Sequence, residues 1–409
     1  MPPNAVTQRR VLRTGSPLWS ESPGASVTHQ PLTRDLRTDI AVIGTGISGA
    51  LVAFTLTLRG YRVLLLDRRE PLHGSSMAST ALVQPELDVS LTELTRRIGA
   101  NNARRAWHRS WHAVRALKRL IQRHGIRCGL RAQQSLYLAG NTYGARALRA
   151  ESQLRARANL PGTFVDHTAL ARRFGIDRTG AIVSGGSAAL DPAQLTAGVL
   201  RRAQRAGARV YAPADVIDIA NHRHGVELFT REGHTIAADH VVFCTGYELP
   251  KALPLDGHVI KSTWAIATHP VANLPSWLSS TVLWEASDPY LYLRTTADGR
   301  IIAGGEDEAS ATAHTDRSRL TAKSHAILAQ VRALLPTVRP LLSHRWAGAF
   351  GESPTGLPII DHLPGAPRCH VVLGFGGNGF THSMIAAHLT ADAVGGRRDP
   401  DARLYRAPR

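Results

Sequence analysis

Three glycines and one acid carry the first chemical signal in this chain. Gly44, Gly46 and Gly49 stand in the spacing G-x-G-x-x-G, and Asp67 follows eighteen residues after the last of them. The set suits a dinucleotide. The first glycine makes a tight turn, the second lets the backbone approach a pyrophosphate, and the third lets a helix touch a strand. The helix N-terminus then offers unpaired N–H groups and a partial positive charge to the phosphates. An acid ending the next strand can accept hydrogen bonds from a ribose. Beyond Asp67, a loop of small and hydroxyl residues supplies Ser75, Ser76, Ser79 and Thr80, whose hydroxyls and N–H groups can extend an anion cradle. Taken alone, such a loop is more often only a loop.

The elements that must position these residues are legible around them. Ile40 to Ile43 reads as a buried strand, a helix begins near Ile47, and Tyr61-Arg-Val-Leu-Leu-Leu-Asp67 reads as a second strand. From Leu94 to His124 the residues Trp107, Trp111, Val114 and Ile121 recur at helical spacing, flanked by Leu117 and Leu120. Gln134 to Ala139 is a strand, followed by a charged helix through about Leu160. Asp191 caps, and Pro192 opens, a helix running to Ala206. A strand series from Ala208 ends in His240-Val-Val-Phe-Cys-Thr-Gly246, expected to return to the first sheet. Lys261 to Ala303 is a second β-rich region, and Arg317 to Leu335 an amphipathic helix closed by Pro336. Finally, Cys369 to Ala387 repeats the opening grammar of strand, glycine turn and small-residue helix, without repeating its sequence.

Composition bounds the rest. A chain of 409 residues, 43% hydrophobic, can bury one large core or two domains, and no run of eighteen apolar residues suggests a membrane span. Three dispersed cysteines, Cys128, Cys244 and Cys369, form no C-x-x-C pair, which favours a reducing, cytoplasmic setting and no metal. Net charge is +18, and between Leu91 and Arg131 eleven Lys and Arg face the single acid Glu93. A solvated helix face is the preferred reading. A nucleic-acid partner is not expected, since no such motif accompanies the charge, and any contact with an anionic membrane surface would fall on this helix. Residues 1–36 read as an irregular arm, packed or disordered; Arg9-Arg10 lacks the apolar stretch that a secretion signal needs, and a transit peptide is the remaining targeting reading.

Four pieces in this order resemble the FAD-dependent oxidoreductases of the D-amino-acid oxidase, glycine oxidase and sarcosine oxidase family. They are the Gly44–Gly49 turn with Asp67, the Gly74–Thr80 loop, the strand end Phe243-Cys-Thr-Gly246, and the turn Gly374-Phe-Gly-Gly-Asn-Gly-Phe-Thr381. The resemblance spans roughly residues 37–395. It implies an α/β fold with a Rossmann-like FAD-binding domain and a discontinuous β-rich substrate domain. Residues 37–95, 188–250 and 351–395 would form the first, and 96–187 and 251–350 the second, with 396–409 as a tail. By resemblance, Gly44, Gly46 and Gly49 meet the pyrophosphate, and Asp67 with neighbouring Arg68 the adenosine ribose. Ser75, Ser76, Ser79 and Thr80 take the ribityl or flavin side, Val216 lies near the adenine, and Thr245 and Gly246 close the strand end. Gly376, Gly377, Asn378, Gly379, Phe380 and Thr381 would lie under the flavin ring, which a helix dipole there can stabilise when reduced.

The implied activity is oxidation of a CH–NH bond of a small amine or amino-acid-like substrate by hydride transfer to flavin N5, with dioxygen or another acceptor as oxidant. Family members carry an arginine for the substrate carboxylate after the Trp-x-Gly-type strand; Trp346-Ala-Gly-Ala-Phe350 puts phenylalanine there. Arg294 is a replacement clamp or an ordinary salt-bridge residue. Lys261 activates dioxygen or merely ends a strand; Tyr292 faces the pocket or the core; His382 tunes the ring or caps a helix. His73 has no special context, so FAD is expected to be non-covalent. A flavin dehydrogenase of alcohols or hydroxy acids, and a non-catalytic flavin- or anion-binding subunit, are the rival readings.

Overall fold

A computed structural model describes residues 6–253 and 257–407. Its first sheet has eight strands and centres on Leu36–Ile43, flanked in parallel by Val63–Leu66 on one side and Thr235–Phe243 on the other. Arg209–Tyr211 extends the first side; Ala366–Leu373, in parallel, and then Ile359–Leu363, antiparallel, extend the second. Ile40, Ala41, Val42 and Ile43 are all buried, because helices cover one face and a second apolar layer the other. This explains their unbroken apolar run, which a half-exposed strand would replace by alternation. Ile47–Leu58 packs on Gly379–Val394 and on Pro192–Arg205, whose Asp191 cap accepts from Gln194 N–H (2.9 Å) as its sequence predicts.

The second sheet has ten strands and mixes distant stretches. Its path runs from Arg13–Gly15 through Leu342–Glu352, Val259–Thr268, Ile301–Glu308, Leu291–Thr295, Thr281–Glu285, Arg131–Leu138 and Gly180–Ala189 to Leu82–Val83. Thr163–Asp166 pairs with Gly180–Ala189 off this path. Leu82–Val83, expected with the cofactor half, thus belongs to the second sheet. The helix Ala100–Arg123, expected with the substrate half, packs on Gly379–Val394, since Ala103, Ala106, Trp107, Val114, Leu117 and Ile121 form one buried face.

The described part of the N-terminal arm, from Val6 onward, is packed; residues 1–5 lie outside the described residues. Arg13–Gly15 adds an edge strand to the ten-stranded sheet, Trp19 is buried and donates to the Ser79 carbonyl (2.7 Å), and Gln30 bridges to Tyr211 at the edge of the first sheet. The basic helix is partly neutralised by the C-terminal tail, where Arg109 meets Asp399 (2.8 Å) and Arg105 Nε donates to Asp401 (2.7 Å). Among the described residues no helix is long and apolar enough to cross a membrane, and no group of acids, histidines and cysteines is placed to hold a metal.

Candidate active site

One cleft of about 450 Å³ runs between the two sheets, at the carboxyl ends of the parallel strands. That is where open α/β sheets leave a crevice. Gly44 adopts φ +110°, and a Cβ there would stand 2.4 Å from the Cys244 carbonyl oxygen. A Cβ on Gly49 would stand 1.9 Å from the Gly44 carbonyl oxygen, so helix and turn touch only because Gly49 lacks a side chain. Gly46 differs: its nearest neighbour would be Ser76 Oγ at 3.1 Å, and it faces the open cleft. Ser76 Oγ also accepts from Ile47 N–H (2.9 Å), fixing the loop to the start of the helix.

Asp67 lines the same end. Its Oδ2 accepts from Thr45 N–H (2.7 Å) and Thr45 Oγ1 (2.8 Å), and its Oδ1 from Arg69 N–H (2.9 Å). Burial raises its pKa, against these hydrogen bonds and the Arg69 charge. Arg69 forms a double contact with Glu248 (2.7 and 2.8 Å), and Arg68 faces Asp215 (3.5 Å) and Thr7 of the arm. Val216, Ser75, Ser79, Thr80, Thr245 and Gly246 also line the cleft. Ser79 Oγ accepts from Ala81 N–H (3.1 Å), and Thr245 Oγ1 donates to the Glu248 carbonyl (2.7 Å).

At the far end, Gly376, Gly377, Gly379 and Phe380 line the cleft. Asn378 and Thr381 instead tie this turn to the segment ahead of the helix Leu91–Ile98. Asn378 Nδ2 donates to the Glu86 carbonyl (2.9 Å) and Asp88 Oδ1 (3.0 Å), and Thr381 Oγ1 to the Gln84 carbonyl (2.8 Å). Gly377 N–H donates to Asp88 Oδ2 (2.7 Å). Asp88 is exposed within the cleft, yet the protein crowded around its carboxyl first, and then Glu352 and Asp307, push its pKa up to about 6.

The four residues read as catalytic candidates do not converge. Tyr292 lines the cleft with Tyr290, Phe350 and Tyr247, and burial raises its hydroxyl pKa. Lys261 stands behind the lining, paired with cleft-lining Glu352 (2.7 Å). His382 is buried off the cleft, its Nδ1 2.9 Å from the Phe375 carbonyl and its pKa lowered by burial to about 4, so it is neutral. Arg294 does not reach the cleft. It is 2% exposed; Nε donates to the Thr80 carbonyl (2.7 Å), Nη2 to the Leu190 carbonyl (2.8 Å), and Trp19 of the arm covers it at 5.2 Å. A guanidinium so engaged is a brace for the Ser79–Thr80 loop and corrects the clamp reading. Asp88, Glu352, Asp307 and Tyr247 escaped sequence reasoning. The only local signal was the Glu86-x-Asp88 spacing, which puts two acids on one side of an extended segment.

The lining fits FAD. Ser75 Oγ, Gln84 Nε2 and Arg68 Nη1 border the cleft, are buried and lack a hydrogen-bond partner in the protein. Buried polar groups seldom stay unpaired, and a polyhydroxylated dinucleotide supplies what they lack. Asp67→Ala is therefore expected to weaken FAD binding by about 10- to 100-fold, the loss of a charged hydrogen bond or two. Fluorescence titration of the apoprotein measures it; Asp67→Asn, which keeps an acceptor for Thr45, should fall between. Unchanged affinity in both variants would show that the ribose lies elsewhere.

Comparison with known proteins agrees with this cleft. Residues 39–393 match the family described as FAD dependent oxidoreductase (DAO). Among curated relatives, a glycine oxidase of Geobacillus kaustophilus is 23% identical over 88% of this chain and 93% of its own length. A probable oxidoreductase, OrdL, of Haemophilus influenzae is 21% identical over 89% and 84%. The crystal structure of the Geobacillus glycine oxidase superposes with a TM-score of 0.78 at 22% identity, covering 91% of this chain and 99% of that one. The L-amino acid deaminase of Proteus vulgaris superposes at 0.74 and 16%, covering 94% and 99%. With a family match over most of its length and a cleft whose polar lining suits the cofactor, the chain belongs to the DAO family of FAD-dependent oxidoreductases.

Proposed function

We propose that this enzyme oxidises the CH–NH bond of a small amine, with dioxygen or another acceptor taking up the electrons. One observation carries the reading: a single cleft joins the glycine turn at Gly44–Gly49 to a wall of Tyr290, Tyr292 and Phe350. Bound FAD supplies the acceptor for the hydride that leaves carbon, while the nitrogen lone pair, freed by loss of a proton, closes the C=N bond. The protein must therefore bind the amine, orient it and take that proton. Asp88 is suited to the last task, because its carboxylate lines the cleft beside Gly377, and a pKa raised to about 6 makes it a stronger base than an ordinary carboxylate while leaving it mostly ionised at neutral pH. Tyr292 and Phe350 shape the wall that orients the carbon. Lys261, held by Glu352, keeps a positive charge behind the cleft, where it can favour reduction of dioxygen. The backbone of Gly44, Gly46 and Gly376–Gly379, with Ser75, Ser76, Ser79 and Thr80, holds the cofactor without a covalent bond; His73 is not among the lining residues. Three free, buried cysteines support a cytoplasmic setting.

Anaerobic mixing tests this. The purified yellow protein should lose its visible flavin absorbance when an amine is added. Loss with hydroxy acids only would replace amine by alcohol oxidation, and a protein that takes up no FAD would sink both.

A further inference from the structure

The wall of the cleft opposite the glycine turns is acidic and aromatic. Across neighbouring strands of the second sheet, Tyr137, Trp284 and Tyr292 stand in register, and the Tyr137 and Trp284 rings stack at 3.7 Å. Gly304 lies opposite Tyr292, where a Cβ would meet the Tyr292 hydroxyl at 2.3 Å, so the ring lies across its neighbour strand. Tyr290 donates to Asp307 Oδ2 (2.7 Å), while the other oxygen, Oδ1, is buried without a hydrogen-bond partner. Glu352 and Asp88 line the same cleft.

Positive charge is scarce there. Arg68 and Arg69 are the arginines among the described lining residues, and both sit beside Asp67, facing Asp215 and Glu248. Arg294 is sealed behind Thr80. Lys261 is paired with Glu352 (2.7 Å). Two carboxylates of the lining, Asp88 and Glu352, with Asp307 behind Tyr290, thus stand against one ammonium. A substrate carboxylate would stand among like charges with no guanidinium to meet it, which is unfavourable. An ammonium on an alkyl or aryl arm meets both carboxylates and aromatic faces, which attract cations.

Resting on the amine-oxidation reading above, we propose that the substrate is a cationic amine with no carboxylate beside the reacting carbon, its nitrogen drawn to Asp88, Asp307 and Glu352 and its carbon arm laid on Tyr137, Trp284 and Tyr292. Phenylalanine at position 350 is then a specificity residue that keeps the wall free of a carboxylate-binding charge.

Two measurements on the FAD-loaded protein test it. Benzyltrimethylammonium, which has no N–H to oxidise, and benzoate are compared as ligands by calorimetry. The cation should bind at least about tenfold more tightly, Asp307→Asn should weaken it, and Phe350→Arg should shift the preference towards benzoate. Tighter benzoate binding by the unaltered protein overturns the proposal whether or not either variant folds. Separately, phenethylamine should bleach the flavin at least about tenfold more efficiently than phenylalanine; equal or reversed efficiency overturns the substrate class and leaves amine oxidation standing. Cation preference without bleaching by any amine would overturn the oxidation reading, and the proposal with it, while retaining the cation-binding wall.

Discussion

Arg155→Met is expected to lower the stability of this protein by about 3–5 kcal/mol, the usual cost of orphaning a buried charge. The Arg155 side chain is fully buried; Nε donates to Glu151 Oε1 (2.8 Å), Nη1 to Glu86 Oε1 (3.0 Å), and the guanidinium stacks over Trp107 at 4.5 Å. Both carboxylates have further duties. Glu151 accepts from Leu91 N–H (2.9 Å), Thr92 N–H (2.9 Å) and Thr92 Oγ1 (2.6 Å) at the start of the helix Leu91–Ile98, and Glu86 accepts from Ser184 Oγ (2.6 Å). Burial alone would raise the Glu151 pKa, but the Arg155 charge and the Thr92 hydrogen bonds hold it below the ordinary value. The sign follows: this contribution is present above the unfolded carboxyl pKa and is lost as pH falls through the depressed folded one. Without Arg155 the balance reverses: Glu151 loses its main cationic partner, burial lifts its folded pKa, and the variant's deficit should be largest near neutral pH and shrink as acid protonates Glu151. Urea denaturation at neutral and acidic pH measures both effects. Adding Glu86→Gln and Glu151→Gln to Arg155→Met should restore much of the loss; no restoration would mean that packing against Trp107, and not charge, sets the cost.

The reach of that network explains why it was hidden in the sequence. Glu151 and Arg155 lie four apart in a charged helix, a spacing that by itself does not mark them as buried, while Glu86 lies far off in a loop. Only the tertiary pairing of Leu82–Val83 with Gly180–Ala189 brings Ser184 to Glu86. By contrast, Ile40–Ile43, the Asp191 cap and the glycine turns were legible, because each is dictated by residues within a few positions of one another. Arg294 lies between these cases. Alternation along Tyr290-Leu-Tyr-Leu-Arg placed it correctly on a strand, but not the arm that closes over that end, since Trp19 is a long-range partner. Tyr292 could be assigned to either face by the same alternation, and Gly304 opposite it decides how the ring lies.

Gly46→Ala and Gly49→Ala should separate the two reasons a glycine is needed in the first turn. At Gly49 the added methyl would overlap the Gly44 carbonyl oxygen (1.9 Å) and carbon (3.0 Å), both backbone atoms of a turn already pressed against Cys244. Nothing there can rotate away, so helix Ile47–Leu58 must retreat from the strand. Overpacking of this kind costs about 1–3 kcal/mol or more, and the displaced helix N-terminus also withdraws its N–H groups from the pyrophosphate. At Gly46 the methyl would meet only Ser76 Oγ (3.1 Å), a side-chain atom that has to give by only a few tenths of an ångström, so the apoprotein should melt close to the parent. The methyl would nevertheless occupy the cleft where the phosphates approach, and FAD affinity should fall by about 100-fold, the scale of losing charge-assisted hydrogen bonds. The Gly49 variant is thus expected to lose both stability and flavin, and the Gly46 variant flavin alone. Denaturation of the apoproteins beside FAD titration reads the two effects independently. A Gly46→Ala protein that retains full FAD affinity would place the pyrophosphate away from this turn, and with it the axis along which the cleft is read.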